Sequence, residues 1–312
     1  MSLKYDLIII GGGPIGISML YRFINTKYNV LLIEKENLFN SFYHMDKNMI
    51  WHSPINGCNL KENQFDESDS SHPNVSKLIK NFKLFVKENI DDRYYKINEK
   101  VTLINKNENY YNILTKKNKY ITKAIYIATR TNFSAPKSLN FQVINSNINR
   151  YLTDSSNIEG KKICIIGGGW TSADAVVALQ EKNNVTILTR NYKNFKDKHI
   201  GQKAIYGHKD FDIKYKYIQY NKIYEIKNNK INIDNNILEF DIYYIFFGYS
   251  QNNNIKIDCD KEKIFDNSQG NYIELLENVY GCTKDHRKYN GRYIVRENTI
   301  NSVINLIENA LN

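Results

Sequence analysis

The chain has 312 residues, a hydrophobic content of 42% and a net charge of +10, which suits two domains of ordinary size, each with its own core. No apolar run approaches a membrane span, and the four cysteines (Cys58, Cys164, Cys259, Cys282) are too scattered for a disulfide framework or a zinc site, so neither membrane nor metal is expected. Lysines are interleaved with asparagine and acids along the whole chain, as under AT-rich coding bias, and no dense basic block marks a nucleic-acid binder; the reading is a solvated basic surface.

The first element is the run Leu7-Ile8-Ile9-Ile10, read as a parallel strand buried on both faces. Gly11-Gly12-Gly13-Pro14-Ile15-Gly16 follows and opens a helix predicted over about residues 15–25. In this spacing Gly11 allows the tight turn, Gly13 the approach of a pyrophosphate, and Gly16 the packing of helix on strand. The helix N-terminus supplies N–H groups and a positive dipole end for the phosphates. A second strand, Val30-Leu31-Leu32-Ile33, ends at Glu34, where an acid accepts ribose hydroxyls. A bare glycine pattern could be a flexible loop, but strand, helix, second strand and terminal acid together specify a dinucleotide site.

Val101-Thr102-Leu103-Ile104, Tyr110-Tyr111-Asn112-Ile113-Leu114 and Ala124-Ile125-Tyr126-Ile127-Ala128-Thr129 then read as a meander followed by a strand that re-enters the parallel sheet. Pro136 and the polar stretch 145–160 mark a crossing. Beyond it the pattern repeats: Lys162-Ile163-Cys164-Ile165-Ile166 is a strand, Gly167-Gly168-Gly169-Trp170-Thr171-Ser172 a turn, residues 171–180 a helix and Val185-Thr186-Ile187-Leu188 a strand. Here Ser172 replaces the third glycine, and the second strand ends at Thr189-Arg190. A carboxylate would repel a 2′-phosphate, whereas an arginine fork binds it, so this site reads as NADPH in preference to NADH. Two such turns in one small protein point to FAD in the first site and NADPH in the second.

Ile223-Tyr224-Glu225-Ile226, Ile231-Asn232-Ile233 and the apolar run from Ile242 to Phe247 repeat the meander and return strand, and residues 251–254 cross back. The expected fold is α/β: two Rossmann-like dinucleotide-binding domains, each with a β-meander. The second (residues 146–250) is inserted in the first (residues 1–145 and 251–312). The N-terminus enters a strand at once, so no signal peptide is expected and the cytoplasm is the expected location.

This layout resembles the two-dinucleotide-binding flavoproteins, which include low-molecular-weight thioredoxin reductases, bacillithiol-disulfide-reductase-like proteins and flavin-containing monooxygenases. Ala128-Thr129 with Pro136 is similar to their A-T-G…P segment, with Arg130 where glycine is usual. Phe247-Gly248-Tyr249 resembles the matching segment of the second half. Asn40-Ser41-Phe42-Tyr43 and Ile50-Trp51-His52-Ser53-Pro54 resemble a stretch lying along the flavin, and Asn278-Val279-Tyr280 resembles the segment before the usual G-D pair, here followed by Gly281-Cys282-Thr283-Lys284-Asp285. The resemblance implies FAD contacts at Lys35, Ser41, Tyr43, His52, Val101, Thr129 and Asp285, beside Gly11, Gly13, Pro14, Gly16 and Glu34. For NAD(P)H it implies Gly167, Gly169, Trp170, Thr171, Ser172 and Arg190.

Branches of this family differ in the electron acceptor. Thiol–disulfide exchange needs an attacking thiolate, yet no C-x-x-C occurs, and Ile15 stands where the bacillithiol-type branch carries a cysteine. Cys58 is the remaining thiol near the flavin-facing segment, and a lone cysteine is more often a small buried apolar residue. Three readings follow. In the first, a monooxygenase uses O₂ to oxygenate a small nitrogen, sulfur or carbon centre, with Trp51 and His52 as candidate catalytic residues. The second is an NAD(P)H-dependent reductase of a protein, thiol or quinone. The third is a non-catalytic FAD redox sensor. A homodimer is compatible with each.

Overall fold

The computed structural model describes residues 3–51, 53–61, 64–107, 110–129, 138–205, 214–248, 256–258, 272–276, 279–282, 305 and 307. Strand β1 (Leu3–Ile10) carries the first apolar run because both its faces are covered. Leu7 and Ile9 pack into one core with Phe23, Phe39 and Phe82. Ile8 and Ile10 pack into a second core with Val101, Ile104, Tyr111 and Ile113. Helix α1 (Pro14–Phe23) begins with proline, whose fixed φ suits a first helical turn. It leads to β2 (Val30–Ile33), which is parallel to β1 in the register Leu7↔Val30.

Helix α2 (Val75–Asn89) is an addition to the elements expected from sequence. The Asn74 side chain caps it by accepting the Lys77 N–H at 2.8 Å. Val75, Leu78, Phe82, Phe85 and Val86 form its buried stripe at helical spacing. Strands β3 (Tyr95–Lys96), β4 (Val101–Asn107), β5 (Tyr110–Thr115) and β6 (Lys119–Ile127) follow. The sequence suggested that the meander ends before the parallel strand begins, but β6 is both. Its first half pairs antiparallel with β5, as in Tyr111↔Thr122, while the stretch from Tyr120 to Ile127 pairs parallel with β1. No turn residue interrupts residues 119–127, so the strand continues from meander into sheet.

The second unit comprises β7 (Gln142–Ile144), β8 (Ile148–Asn149), β9 (Lys162–Ile166), α3 (Trp170–Leu179), β10 (Asn184–Thr189), α4 (Tyr192–Ile205), β11 (Tyr215–Gln219), β12 (Ile223–Lys227), β13 (Lys230–Ile233), β14 (Asn236–Glu239) and β15 (Ile242–Ile245). Its parallel sheet has the order β11-β10-β9-β15-β8, and its meander is a separate sheet ordered β14-β13-β12-β7. The alternation seen in β1 recurs in β9. Ile163 and Ile165 pack toward the helices, and Cys164 and Ile166 toward the meander. Strand β7 pairs with β12 although it precedes residue 146, because Phe141 and Val143 pack into the meander core.

The last described strands are β16 (Lys256–Asp258), β17 (Tyr272–Leu276) and β18 (Val279–Cys282). Strand β16 pairs with β4 and β18 with β6, so the chain returns to the first sheet and the second unit is inserted in the first. Among the described residues no helix is long and apolar enough to cross a membrane.

Candidate dinucleotide sites

Each parallel sheet presents one glycine turn at the carboxyl ends of its central strands, the edge where open α/β sheets bind ligands. In the first turn Gly11 has φ +113° and donates its N–H to Ile33 O at 2.9 Å. A side chain on Gly16 would put its Cβ 1.9 Å from Gly11 O, so α1 can sit this close only through glycine. At Gly13 an added Cβ would meet nothing within 4 Å, which leaves the open approach a pyrophosphate requires at the helix N-terminus. Glu34 is 8% exposed. Its Oε2 accepts the Gly12 N–H at 2.6 Å and its Oε1 accepts the Glu36 N–H at 3.0 Å. A carboxylate has about four acceptor positions, so capacity remains for ribose hydroxyls. These residues fit FAD.

Lys35 pairs with Glu36 at 3.2 Å. Ser41 and Tyr43 lie in a 3-10 turn over Asn40–His44, and Lys83 Nζ stands 5.1 Å from the centre of the exposed Tyr43 ring. Thr129 adjoins the turn: an added Gly11 Cβ would meet its N at 3.0 Å. Val101 is buried in the meander-side core. Trp51 is 5% exposed and belongs to the helix-side core, its ring 5.3 Å from that of Phe42. That placement gives Trp51 a packing role. His52, Arg130, Pro136, Tyr249 and Asp285 lie outside the described residues.

The second turn repeats the geometry with different chemistry. Gly167 has φ +141°, donates to Leu188 O at 2.9 Å, and would place a Cβ 2.6 Å from Phe246 O. Gly169, like Gly13, has nothing within 4 Å of an added Cβ. Ser172, in the place of Gly16, is fully buried at the turn, and its Oγ has no hydrogen-bond partner among the described residues. Trp170 opens α3 and is 47% exposed, with Thr171 also exposed beside it.

The two turns also define a correspondence that residue spacing alone does not. An added Gly12 Cβ would meet Glu34 Cβ at 3.0 Å, and an added Gly168 Cβ would meet Thr189 Oγ1 at 2.7 Å. Thr189 therefore occupies the acid's place, and Arg190 falls one residue beyond, in the place of Lys35. Arg190 is exposed, and its positive charge opposes the upward effect of burial on the Tyr220 phenol. Lys198, which reaches the site from α4, donates to Gly168 O at 3.1 Å. Only the fold shows that contact, because thirty residues separate its partners.

Cys58 and Cys164 are both buried. Cys58 is fully buried in the helix-side core, with Sγ 3.5 Å from Pro54 O. Burial pushes its pKa up to about 12, against a smaller lowering from a hydrogen bond with Trp51. Cys164, buried in β9, is raised well above the usual thiol range by the same cause. Burial thus disfavours, at both positions, the thiolate that disulfide exchange needs. Among the described residues no cluster of His, Cys, Asp or Glu could hold a metal.

The sequence profile described as pyridine nucleotide-disulphide oxidoreductase matches residues 8–268. The chain belongs to that family. Among its curated relatives is a ferredoxin--NADP reductase of Streptococcus pneumoniae serotype 19F (strain G54), 25% identical over 201 residues, 63% of this chain and 57% of the relative. The chain thus spans 57% of the length of that relative. A 34.2 kDa protein in the rubredoxin operon of Clostridium pasteurianum is 24% identical over 287 residues, 88% of this chain and 85% of that protein. Among solved structures, bacillithiol disulfide reductase Bdr (YpdA) from Bacillus cereus has a TM-score of 0.72 at 18% identity, covering 99% of both chains. Cyclohexanone monooxygenase from Rhodococcus sp. Phi1, bound to NADP+, has a TM-score of 0.76 at 10% identity, covering 99% of this chain and 85% of that one. The fold of this family member is thus that of the two-dinucleotide-binding flavoproteins.

Proposed function

We propose that this family member is an NADPH-dependent FAD reductase that passes electrons to a small acidic electron-carrier protein. The contrast between the two glycine turns carries this reading. One turn closes on the Glu34 carboxylate; the other closes on neutral Thr189, with Arg190 and Lys198 beside it. Gly13 and the α1 N-terminus hold the FAD pyrophosphate, and Glu34 holds its ribose. Gly169 and the α3 N-terminus hold the NADPH pyrophosphate, and Arg190 takes the 2′-phosphate through charge-assisted hydrogen bonds. FAD, when bound, accepts hydride and releases electrons singly or in pairs.

Three observations favour this acceptor. The buried thiols Cys58 and Cys164 leave no described relay for a disulfide substrate. Curated relatives are named ferredoxin--NADP reductases. Finally, the outward face of α2 carries exposed Lys77, Lys80, Lys83 and Lys87 around Leu84, which is 49% exposed. This strip begins beside the flavin-facing segment, where Val75 N–H donates to Met49 O at 2.9 Å. A basic strip around one apolar side chain suits an acidic partner, whose charge would steer its encounter. The test is NADPH-driven reduction of an acidic iron–sulfur protein, with a rate that falls as salt rises and falls again in a K80E/K83E variant. Transfer that ignores both salt and the variant would contradict the docking reading. The second reading, a small monooxygenase, draws on the overlay with cyclohexanone monooxygenase. It is favoured instead if O₂ consumption yields an oxygenated small molecule.

A further inference from the structure

We infer that Lys198 is a specificity-determining residue that grips the 2′-phosphate of NADPH together with Arg190. The inference rests on the NADPH reading above. Lys198 differs from its neighbours on α4: Lys193 and Lys196 are exposed, whereas Lys198 is half-buried with its ammonium on the glycine turn. Packing on either side of it fixes that position. Phe195 and His199 are both buried, and both meet the Tyr215 ring edge-on, at 5.8 and 5.0 Å between centres. The Lys198 stem therefore leaves a locked stretch of helix and reaches Gly168.

Comparison with the first turn shows what the ammonium adds. There, the carbonyl of the middle glycine, Gly12, is satisfied by the Phe39 backbone N–H at 2.8 Å, a neutral donor. In the second turn the equivalent carbonyl of Gly168 takes a cation at 3.1 Å. A backbone amide spends its one donor on the carbonyl. An ammonium has three, so one bond to Gly168 leaves capacity for phosphate oxygens. The substitution at the strand end matches: Thr189 removes the negative charge that Glu34 supplies in the first turn, and Gly168 packs directly against it.

The position also distinguishes the two phosphate groups of the nucleotide. The pyrophosphate belongs to Gly169 and the α3 N-terminus, where the backbone is open. Lys198 bonds Gly168, and Gly168 lies against Thr189, which is the ribose end by analogy with Glu34. There the 2′-phosphate is the anion that distinguishes NADPH from NADH.

The test is equilibrium binding of 2′,5′-ADP and of 5′-AMP to the FAD-loaded protein, with Lys198→Gln and Lys198→Arg variants. Lys198→Gln is expected to weaken 2′,5′-ADP roughly tenfold to a hundredfold, as befits loss of a charged hydrogen bond, and to leave 5′-AMP unchanged. Lys198→Arg is expected to restore most of the loss. In turnover, Lys198→Gln should raise KM for NADPH far more than KM for NADH, a ratio that general damage to the fold would not change. Unchanged 2′,5′-ADP binding in Lys198→Gln, or equal weakening of both ligands, overturns the assignment while NADPH use stands. A wild-type protein that does not distinguish 2′,5′-ADP from 5′-AMP overturns the NADPH reading itself.

Discussion

Replacing Glu34 by alanine tests how the first turn is held. The carboxylate accepts the Gly12 N–H at 2.6 Å and the Glu36 N–H at 3.0 Å. Gly12 is buried, so water cannot easily replace the first bond; Glu36 is half-buried, so water can largely replace the second. Leaving a buried N–H bonded to nothing costs about 1–3 kcal/mol, and a hydrogen bond to a charged group contributes about 1.5–3 kcal/mol. The two bonds together therefore place the loss near 3 kcal/mol. At about 1.5 °C per kcal/mol for a chain of this size, melting of the apoprotein should fall by roughly 5 °C. FAD affinity should fall further, because the ribose loses its acceptor. Scanning fluorimetry of the apoprotein and FAD retained after gel filtration measure the two effects separately. Unchanged melting together with full FAD retention in Glu34→Ala would refute the reasoning.

Cys58→Ala should lower stability by about 1 kcal/mol, as for a modest core truncation, and leave NADPH oxidation intact; loss of turnover in a folded variant would make the thiol functional. With its pKa raised from 9.0 to about 12, thiolate at Cys58 is about a thousandfold scarcer at neutral pH than in an ordinary thiol, so it should resist alkylation until the protein unfolds. Arg190→Ala should raise KM for NADPH about tenfold, as expected for a charged hydrogen bond, with little change for NADH; equal losses would mean that the arginine positions the domain. Glu99 sets a pH dependence. Burial raises its pKa, but hydrogen bonds from Asn118, Thr115 and Tyr120 outweigh that and hold it below the usual 4.5. A depressed folded pKa gives stability that is present above 4.5 and lost as pH falls through the folded value. Glu99→Gln should therefore flatten the acid side of a melting-temperature profile; an unaltered profile would exclude this network.

Both glycine turns were legible in the sequence because their parts are local. A four-residue apolar run, a fixed glycine spacing and a strand end about twenty residues on need no knowledge of the fold. Helix α2 was less legible, since its apolar positions are separated by lysines and asparagines and its cap is a single Asn74. The equivalence of Thr189 with Glu34 depends on which atom the middle glycine packs against, a matter of ångströms that residue spacing does not resolve. Trp51 is the reverse case. An aromatic beside a histidine and a proline resembles a pocket wall in sequence, but α2 packs over that segment and draws the indole into the core. Lys198 was hidden among similar lysines, and its burial and its contact with Gly168 set it apart only once α4 is folded.

The most direct test of the central claim is an anaerobic titration of the FAD-loaded protein with NADPH, and in parallel with NADH, followed by flavin absorbance. The proposed reductase predicts rapid, stoichiometric bleaching by NADPH, and a markedly higher concentration requirement for NADH. Protein that binds FAD but is bleached by neither nucleotide would contradict the account and favour a flavoprotein that holds its cofactor without turnover.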